Sequence, residues 1–450
     1  MSLPRRRFLG GAAGAGLLGS AGLLAGSGLG RAAADDYRAL VVLFLNGGND
    51  GHNLLVPTDG AYGDYQRARA NLALARSSLV ALPGTAGGHS YGLHPALQPL
   101  ADLYRNRRLS FILNAGPLIE PATARQVLDA AVDVPPFLLS HSDQIAIQQG
   151  WTVTDDTSGW AGRALELLPS SLKHPISAVT LGGNRTLVQG RRSAVSFLSQ
   201  DGSRWWGSAD LSQPQTEAAQ NINRMAQWQF ANAYEAEYAR TFGNAVADST
   251  RFTRALMNAP APPQDFGSGW LGDRLRQLAT LLPVLKAEGY RRQAFLLDWG
   301  NFDTHTNQTG SGENTQDTQL ATMAKAVAAF DAALQASGLA DHVTLLMMSD
   351  FGRTLRPGSG GGSEHAWGNH WFALGGAVDG GQVVGTLPNL TLGGPDDGDS
   401  GRNGRMVPTI ATDQVGHTLM QWLGLPPSLT LEAFPHLVNF PQKTIPLLRA

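Results

Sequence analysis

The sequence predicts an α/β fold, a doubly wound and mostly parallel sheet sandwiched by helices, with a helical insertion. Two observations carry the prediction of sheet and helices. Short apolar runs recur without polar alternation: Arg38 to Leu45, Leu109 to Leu113, Ala178 to Leu181, Gln293 to Leu297 and Val343 to Met348. Such runs mark strands buried on both faces, as in a parallel sheet. Helix-period stretches separate them: Pro95 to Tyr104, Gln220 to Tyr238, Trp270 to Ala287 and Thr318 to Ser337. Strands alternating with helices point to crossover units winding both faces of one sheet.

The first 34 residues read as an export leader rather than part of the fold. Arg5, Arg6 and Arg7 precede Phe8 and Leu9, the arrangement of a twin-arginine signal. A weakly apolar stretch follows from Gly10 to about Leu29, and Ala32, Ala33 and Ala34 supply small residues for cleavage near Ala34. A membrane anchor is the competing reading, but Gly10, Gly11, Gly14, Gly16 and Gly19 make this stretch poor in the large apolar residues a spanning helix carries. No stable membrane insertion is expected. The expected location is the periplasm or the medium, reached through the twin-arginine export machinery, which carries folded proteins.

The mature chain, residues 35–450, reads as one domain. It opens on Arg38 to Leu45, bounded by Asn46-Gly47-Gly48. Residues 200–290 are mostly helical and carry Trp205, Trp206 and Trp228, which reads as a helical insertion or cap. The tail from Pro408 to Trp422 reads as a closing helix with Asp413 at or near its cap. Cys is absent, so no disulfide contributes, and a chain of this length can bury a large core without one. The formal net charge of −2, lower still without the leader arginines, argues against a general nucleic-acid binder. The 54 glycines favour tight turns over long helical arrays.

Polar clusters follow the strand-like runs or lie in glycine loops. Asn46 to Asn53 contains Asp50 directly after the first run, where open α/β sheets bind ligands. Trp299 to Gln308 contains Asp303 and His305, two positions apart and able to point the same way from an extended segment. That pair suits a zinc-like ion or an orienting Asp–His hydrogen bond. Ser349 to Thr354 offers Asp350 as a ligand and Arg353 as an anion clamp. Ser363 to Trp371 offers His365 and His370 as ligands or acid/base groups. Ser140-His141-Ser142-Asp143 precedes a helical stretch, so Ser140 is either a nucleophile or a helix N-cap, with His141 beside it as a further catalytic candidate. Singly, each cluster also reads as local turn chemistry.

The segments LVVLFLNGGNDGHNLLVP, YGLHPALQPL, LSHSDQIAIQQGW, FDTHTNQ, SDFGRT, GSEHAWGNHWFALGGAVDGG and VPTIATDQVGHTLMQWLGL resemble the domain of unknown function 1501 family over essentially the whole mature chain. That family is similar in fold to the alkaline phosphatase and sulfatase superfamily. The resemblance implies metal ligands at Asp50, at Asp303 and His305, at Asp350 and at His365, holding one or two divalent ions: zinc, calcium or manganese. It implies a hydrolase of phosphate, sulfate or related anionic esters. Phe351 stands where the superfamily's late Asp-His pair has its imidazole, Glu364 stands where relatives often have Asp, and no Cys is present for a formylglycine. These departures leave the nucleophile open. They also motivate an alternative, a non-catalytic protein binding a glycan or other polymer, with the Trp-rich region and Trp367 and Trp371 beside the site as its aromatic platform.

Overall fold

The computed structural model describes residues 36–150 and 156–449. The leader read in residues 1–34 lies outside them. The principal strands and helices of the described residues follow in chain order. They are β1 (Arg38–Leu45), α1 (Gln98–Arg105), β2 (Leu109–Gly116), α2 (His141–Gln149), α3 (Trp160–Glu166), β3 (Ala178–Thr180), β4 (Ser196–Phe197), β5 (Trp205–Trp206) and β6 (Ala209–Asp210). Then come α4 (Glu217–Met225), α5 (Ala233–Asn258), α6 (Trp270–Ala287), β7 (Arg292–Trp299), α7 (Gln316–Ala336), β8 (Val343–Ser349), β9 (Arg353–Pro357), β10 (Ser363–His365), β11 (Asn369–Gly375), β12 (Val383–Val384), β13 (Ile410–Ala411) and α8 (Thr412–Leu423).

All five apolar runs are strands of one nine-stranded sheet in the order β12-β2-β11-β8-β1-β7-β3-β4, with β13 also pairing β2. β1 sits centrally, parallel to β7 and β8 along nearly its whole length. β3 and β4 continue the parallel part. Only β11 runs against its neighbours β8 and β2. Asn369 to Trp371, expected at the end of a loop cluster, opens β11 instead. Asn369 and His370 masked the strand signal, yet all seven residues of β11 are buried.

The side-chain alternation of β1 divides two cores. Val41, Leu43 and Leu45 face one, with α1, α6 and α7 packed on it. Leu40, Val42 and Phe44 face the other, under α3 and α8. A strand apolar at every position is thus a strand serving two helical layers. The stretch read as one helix over Gln220 to Tyr238 is two, α4 and α5, with Asn232 capping α5 through the amides of Tyr234 and Glu235. Asn232 favours a cap over a helix interior because its side chain satisfies those otherwise unpaired amides. The β5–β6 hairpin adds a small sheet to this insertion. Residues Tyr37–Ala450 form one compact unit. Among the described residues no helix is long and apolar enough to cross a membrane.

Leu43 is fully buried at the centre of the sheet. Leu43→Ala is expected to cost about 3 kcal/mol by lost burial and the cavity it leaves. Denaturant unfolding followed by circular dichroism measures it.

Candidate metal centre

Five chain segments meet where the parallel strands end. β1 gives way to the turn Asn46 to Asp50, in which Gly47 and Gly48 have φ of 101° and 76°. A Cβ on Gly47 would stand 2.5 Å from the Asp303 amide nitrogen, so only glycine lets this turn lie under the loop after β7. That loop carries Asp303 and His305. Asp350 follows β8, β10 ends in His365, and α2 begins at His141.

The focus of the site is one oxygen. Asp303 Oδ1 lies 2.9 Å from His305 Nε2, 3.1 Å from His365 Nε2 and 3.4 Å from His141 Nε2. His141, Asp303 and His365 bring one ligand atom each within 4.8 Å of one another. His305 Nε2 adds to them from the side, 3.0 Å from His365 Nε2.

What aims these rings is the other nitrogen. His141 Nδ1 is 2.7 Å from Asp350 Oδ2, His305 Nδ1 is 2.7 Å from Glu364 Oε2, and His365 Nδ1 is 2.7 Å from the Leu139 carbonyl. Two partners are carboxylates that only accept when ionised and the third is a carbonyl, so each Nδ1 donates and, in the neutral ring, each Nε2 presents a lone pair. The Nε2 atoms of His305 and His365 then oppose two lone pairs at contact distance, and His141 Nε2 is buried without a hydrogen bond. A cation among these atoms would relieve both conditions. Leu139 holds its carbonyl in place at φ 77°, a left-handed conformation that a leucine adopts at a cost. The three rings and Asp303 remain partly exposed, so a substrate can reach them.

The family description "Protein of unknown function (DUF1501)" matches residues 37–396. The chain belongs to the DUF1501 family. No curated protein matches this DUF1501 chain at a significant level. Among solved structures it is similar to Ps i-CgsB in complex with k-i-k-neocarrahexaose, at 10% identity and TM-score 0.37, over 90% of this chain and 77% of that one. It is similar to the C-terminal periplasmic domain of EcEptC from Escherichia coli in complex with Zn, at 11% identity and TM-score 0.36, over 87% and 83%. It is also similar to the lipoteichoic acid synthase LtaP from Listeria monocytogenes, at 10% identity and TM-score 0.34, over 88% and 74%. Likenesses this distant do not speak for the site.

The DUF1501 chain places the remaining candidates elsewhere, each for a physical reason. Asp350 stands behind His141, fully buried. Its carboxylate accepts from the Gly47 and Gly48 amides at 3.2 and 2.5 Å as well as from His141, so it orients a ring and does not face the open side. Asp50 is also buried and is taken by the Arg69 guanidinium and by Gln308 Nε2 at 2.6 Å. Burial works to raise its pKa, but the Arg69 charge and these hydrogen bonds outweigh that and hold Asp50 below the ordinary carboxylate range.

Arg353 is no open anion clamp. Its guanidinium is buried and spent on the Gly48, Ser363 and Phe302 carbonyls and on Asp303 Oδ1 at 2.7 Å. Burial would raise the Asp303 pKa, but the Arg353 charge and hydrogen bond lower it on balance, so the focal oxygen stays ionised. His141 is raised by its hydrogen bond to Asp350, against burial, whereas His365 is lowered mainly by burial. Ser140 is the N-cap residue of α2, but its hydroxyl bonds to Asp143 and lies 3.3 Å from Ser142 Oγ. Trp367 and Trp371 are buried, and no aromatic platform forms there. Glu364 and the Leu139 carbonyl were not among the sequence candidates. Glu364 could have been found from its place next to His365. The carbonyl has no side-chain signature.

His370 lies in the interior, its Nδ1 accepting from the Asn114 amide at 3.0 Å and its ring edge-on to His52 at 5.5 Å. Burial pushes His370 down to about 3 and His52 to about 4, from an ordinary value of 6.5. Both rings are neutral in the fold and protonate in the unfolded chain below pH 6.5. The unfolded state therefore binds the extra protons, and stability falls as pH drops from 6.5 toward 4. The expected loss is on the order of 3 kcal/mol per ring at pH 4. Unfolding midpoints measured across this range should fall, and His370→Phe should flatten the fall.

Proposed function

We propose that this protein is a metal-dependent hydrolase of an anionic ester, working outside the cytoplasm. The observation that carries the reading is the three imidazoles, each fixed through Nδ1, converging with Nε2 on the ionised Asp303. His141, Asp303 and His365 would hold one divalent ion, with His305 beside them. Three nitrogen donors and one carboxylate suit zinc or manganese better than calcium, which prefers oxygen. Asp50 and Asp350 are engaged elsewhere, and the Phe351 ring stacks near His141 and His365, with centroids 4.7 and 4.6 Å away, where a second site would need a ligand. The fit is to a single ion.

Such an ion supplies Lewis-acid polarisation of an ester oxygen and eases deprotonation of water. The chain's own residues do the rest. Asp350 and Glu364 fix the tautomers of His141 and His305. Arg353 keeps Asp303 charged. With Arg353 sealed, recognition of the anionic group would fall to the ion. The twin-arginine pattern at Arg5 to Leu9 supports export after folding, which would allow the ion to be loaded beforehand.

Elemental analysis of the mature protein, purified without chelator, should find about one equivalent of zinc or manganese, lost in His365→Ala and His141→Ala. Asp350→Asn should weaken metal binding roughly 10- to 100-fold without removing a ligand. A panel of p-nitrophenyl phosphate, sulfate and phosphonate esters should show turnover that a chelator stops. Metal-free protein, with turnover indifferent to chelator and to His365→Ala, would refute the proposal.

A further inference from the structure

The helical insertion carries a second concavity, made of other residues than the metal cluster. It lies between the edge strand β4, the β5–β6 hairpin and α5, and encloses about 360 Å³. Phe197, Trp205 and Trp206 wall it, and Phe197 and Trp205 are about half exposed. Asp201, Asn244 and Asp248 supply polar groups among serines and a threonine. Among its described lining residues there is no lysine or arginine.

The aromatic surface continues from this cavity along α5. Trp206 meets Phe242 edge-on at 5.1 Å, and Phe242 stacks with Tyr238 at 6.5 Å. Tyr238 and Tyr234 are 73% and 88% exposed, values at which a packed aromatic residue would not be found. A neighbouring cavity walled by Trp228 and Phe230 shares Asn244 with the first. Isolated exposed rings need no explanation, but a contiguous series does.

We propose that this surface binds an uncharged pyranose oligosaccharide chain. A pyranose ring has an apolar C–H face that stacks on an indole or phenol, and a rim of hydroxyls that donate to carboxylates and amides. Rings interleaved with Asp and Asn match both. The cavity's own lining is acidic, and the cations beside the surface are paired: Arg204, over the Trp205 ring at 5.0 Å, with Asp210 at 3.8 Å, Arg251 with Asp248 at 4.0 Å, and Arg240 with Glu237, which selects against sulfated or uronic sugars. Burial raises the Asp248 carboxyl, while its hydrogen bond from Ser196 Oγ at 2.5 Å and the Arg251 charge act to lower it. A flat protein partner would instead desolvate Asp201 and Asp248 without replacing their hydrogen bonds. The run of rings beyond the cavity suits a chain of several sugars over a single one.

Affinity electrophoresis of the mature protein tests this, in gels containing soluble starch, hydroxyethyl cellulose, glucomannan or xylan, with carrageenan as the sulfated comparison. Retardation is expected in at least one neutral polymer. It should weaken roughly tenfold in affinity in Trp205→Ala and Trp206→Ala, as loss of one stacking ring predicts. Trp205 is half exposed, so Trp205→Ala keeps the fold and the comparison stands even if Trp206→Ala does not. Unchanged mobility in all four neutral gels, retardation by carrageenan alone, or full retardation of Trp205→Ala would overturn the proposal. Ester turnover is unaffected by either tryptophan variant, so this failure is distinguishable from failure of the hydrolase reading.

Discussion

The site depends on one constraint: an imidazole with Nδ1 committed to an acceptor has only Nε2 left to offer. Three rings obey it here, held by Asp350, Glu364 and the Leu139 carbonyl. Their Nε2 atoms turn inward onto Asp303 Oδ1. Without those three acceptors the rings would be free to choose tautomer and rotamer, and proximity alone would not make a donor set.

The second layer is an allocation of charge. Two buried arginines each take one carboxylate. Arg69 takes Asp50 out of the site, and Arg353 supports Asp303 within it. A buried guanidinium needs a charge partner and hydrogen bonds, and both bond backbone carbonyls as well as their carboxylates. The same residue type thus closes one aspartate and charges another. Glycine makes the allocation sterically possible, because the Gly47-Gly48 turn brings two amides to Asp350 while passing under Asp303.

The insertion differs in character from the sheet. Around the sheet almost every aromatic side chain is buried, whereas between β4 and α5 rings stand in solvent beside acids and amides. Buried rings build the core. Exposed rings in a row retain surface that a ligand can cover.

Much of the fold was legible in the sequence because its signals are local. Apolar runs and helix periods depend on near neighbours, and they located five central strands and most helices. β11 escaped because Asn369 and His370 broke its apolar pattern, and the α4–α5 break because Asn232 acts as a cap only once its neighbours turn. Within the site, Asp303, His305 and His365 were readable as candidates from their strand-end or glycine-loop positions and residue type. The roles of Asp50, Asp350, Arg353 and His370 were not. Whether a carboxylate faces an open edge or a buried arginine depends on which side chains lie opposite, and those partners stand 19 positions away for Asp50 and 209 for the Asp350–His141 pair. Chain composition and periodicity determined the α/β architecture and the strand ends at which polar groups collect. Only tertiary packing decided which of those groups meet, because the direction of a side chain is set by contacts through space and leaves no trace in the residues beside it.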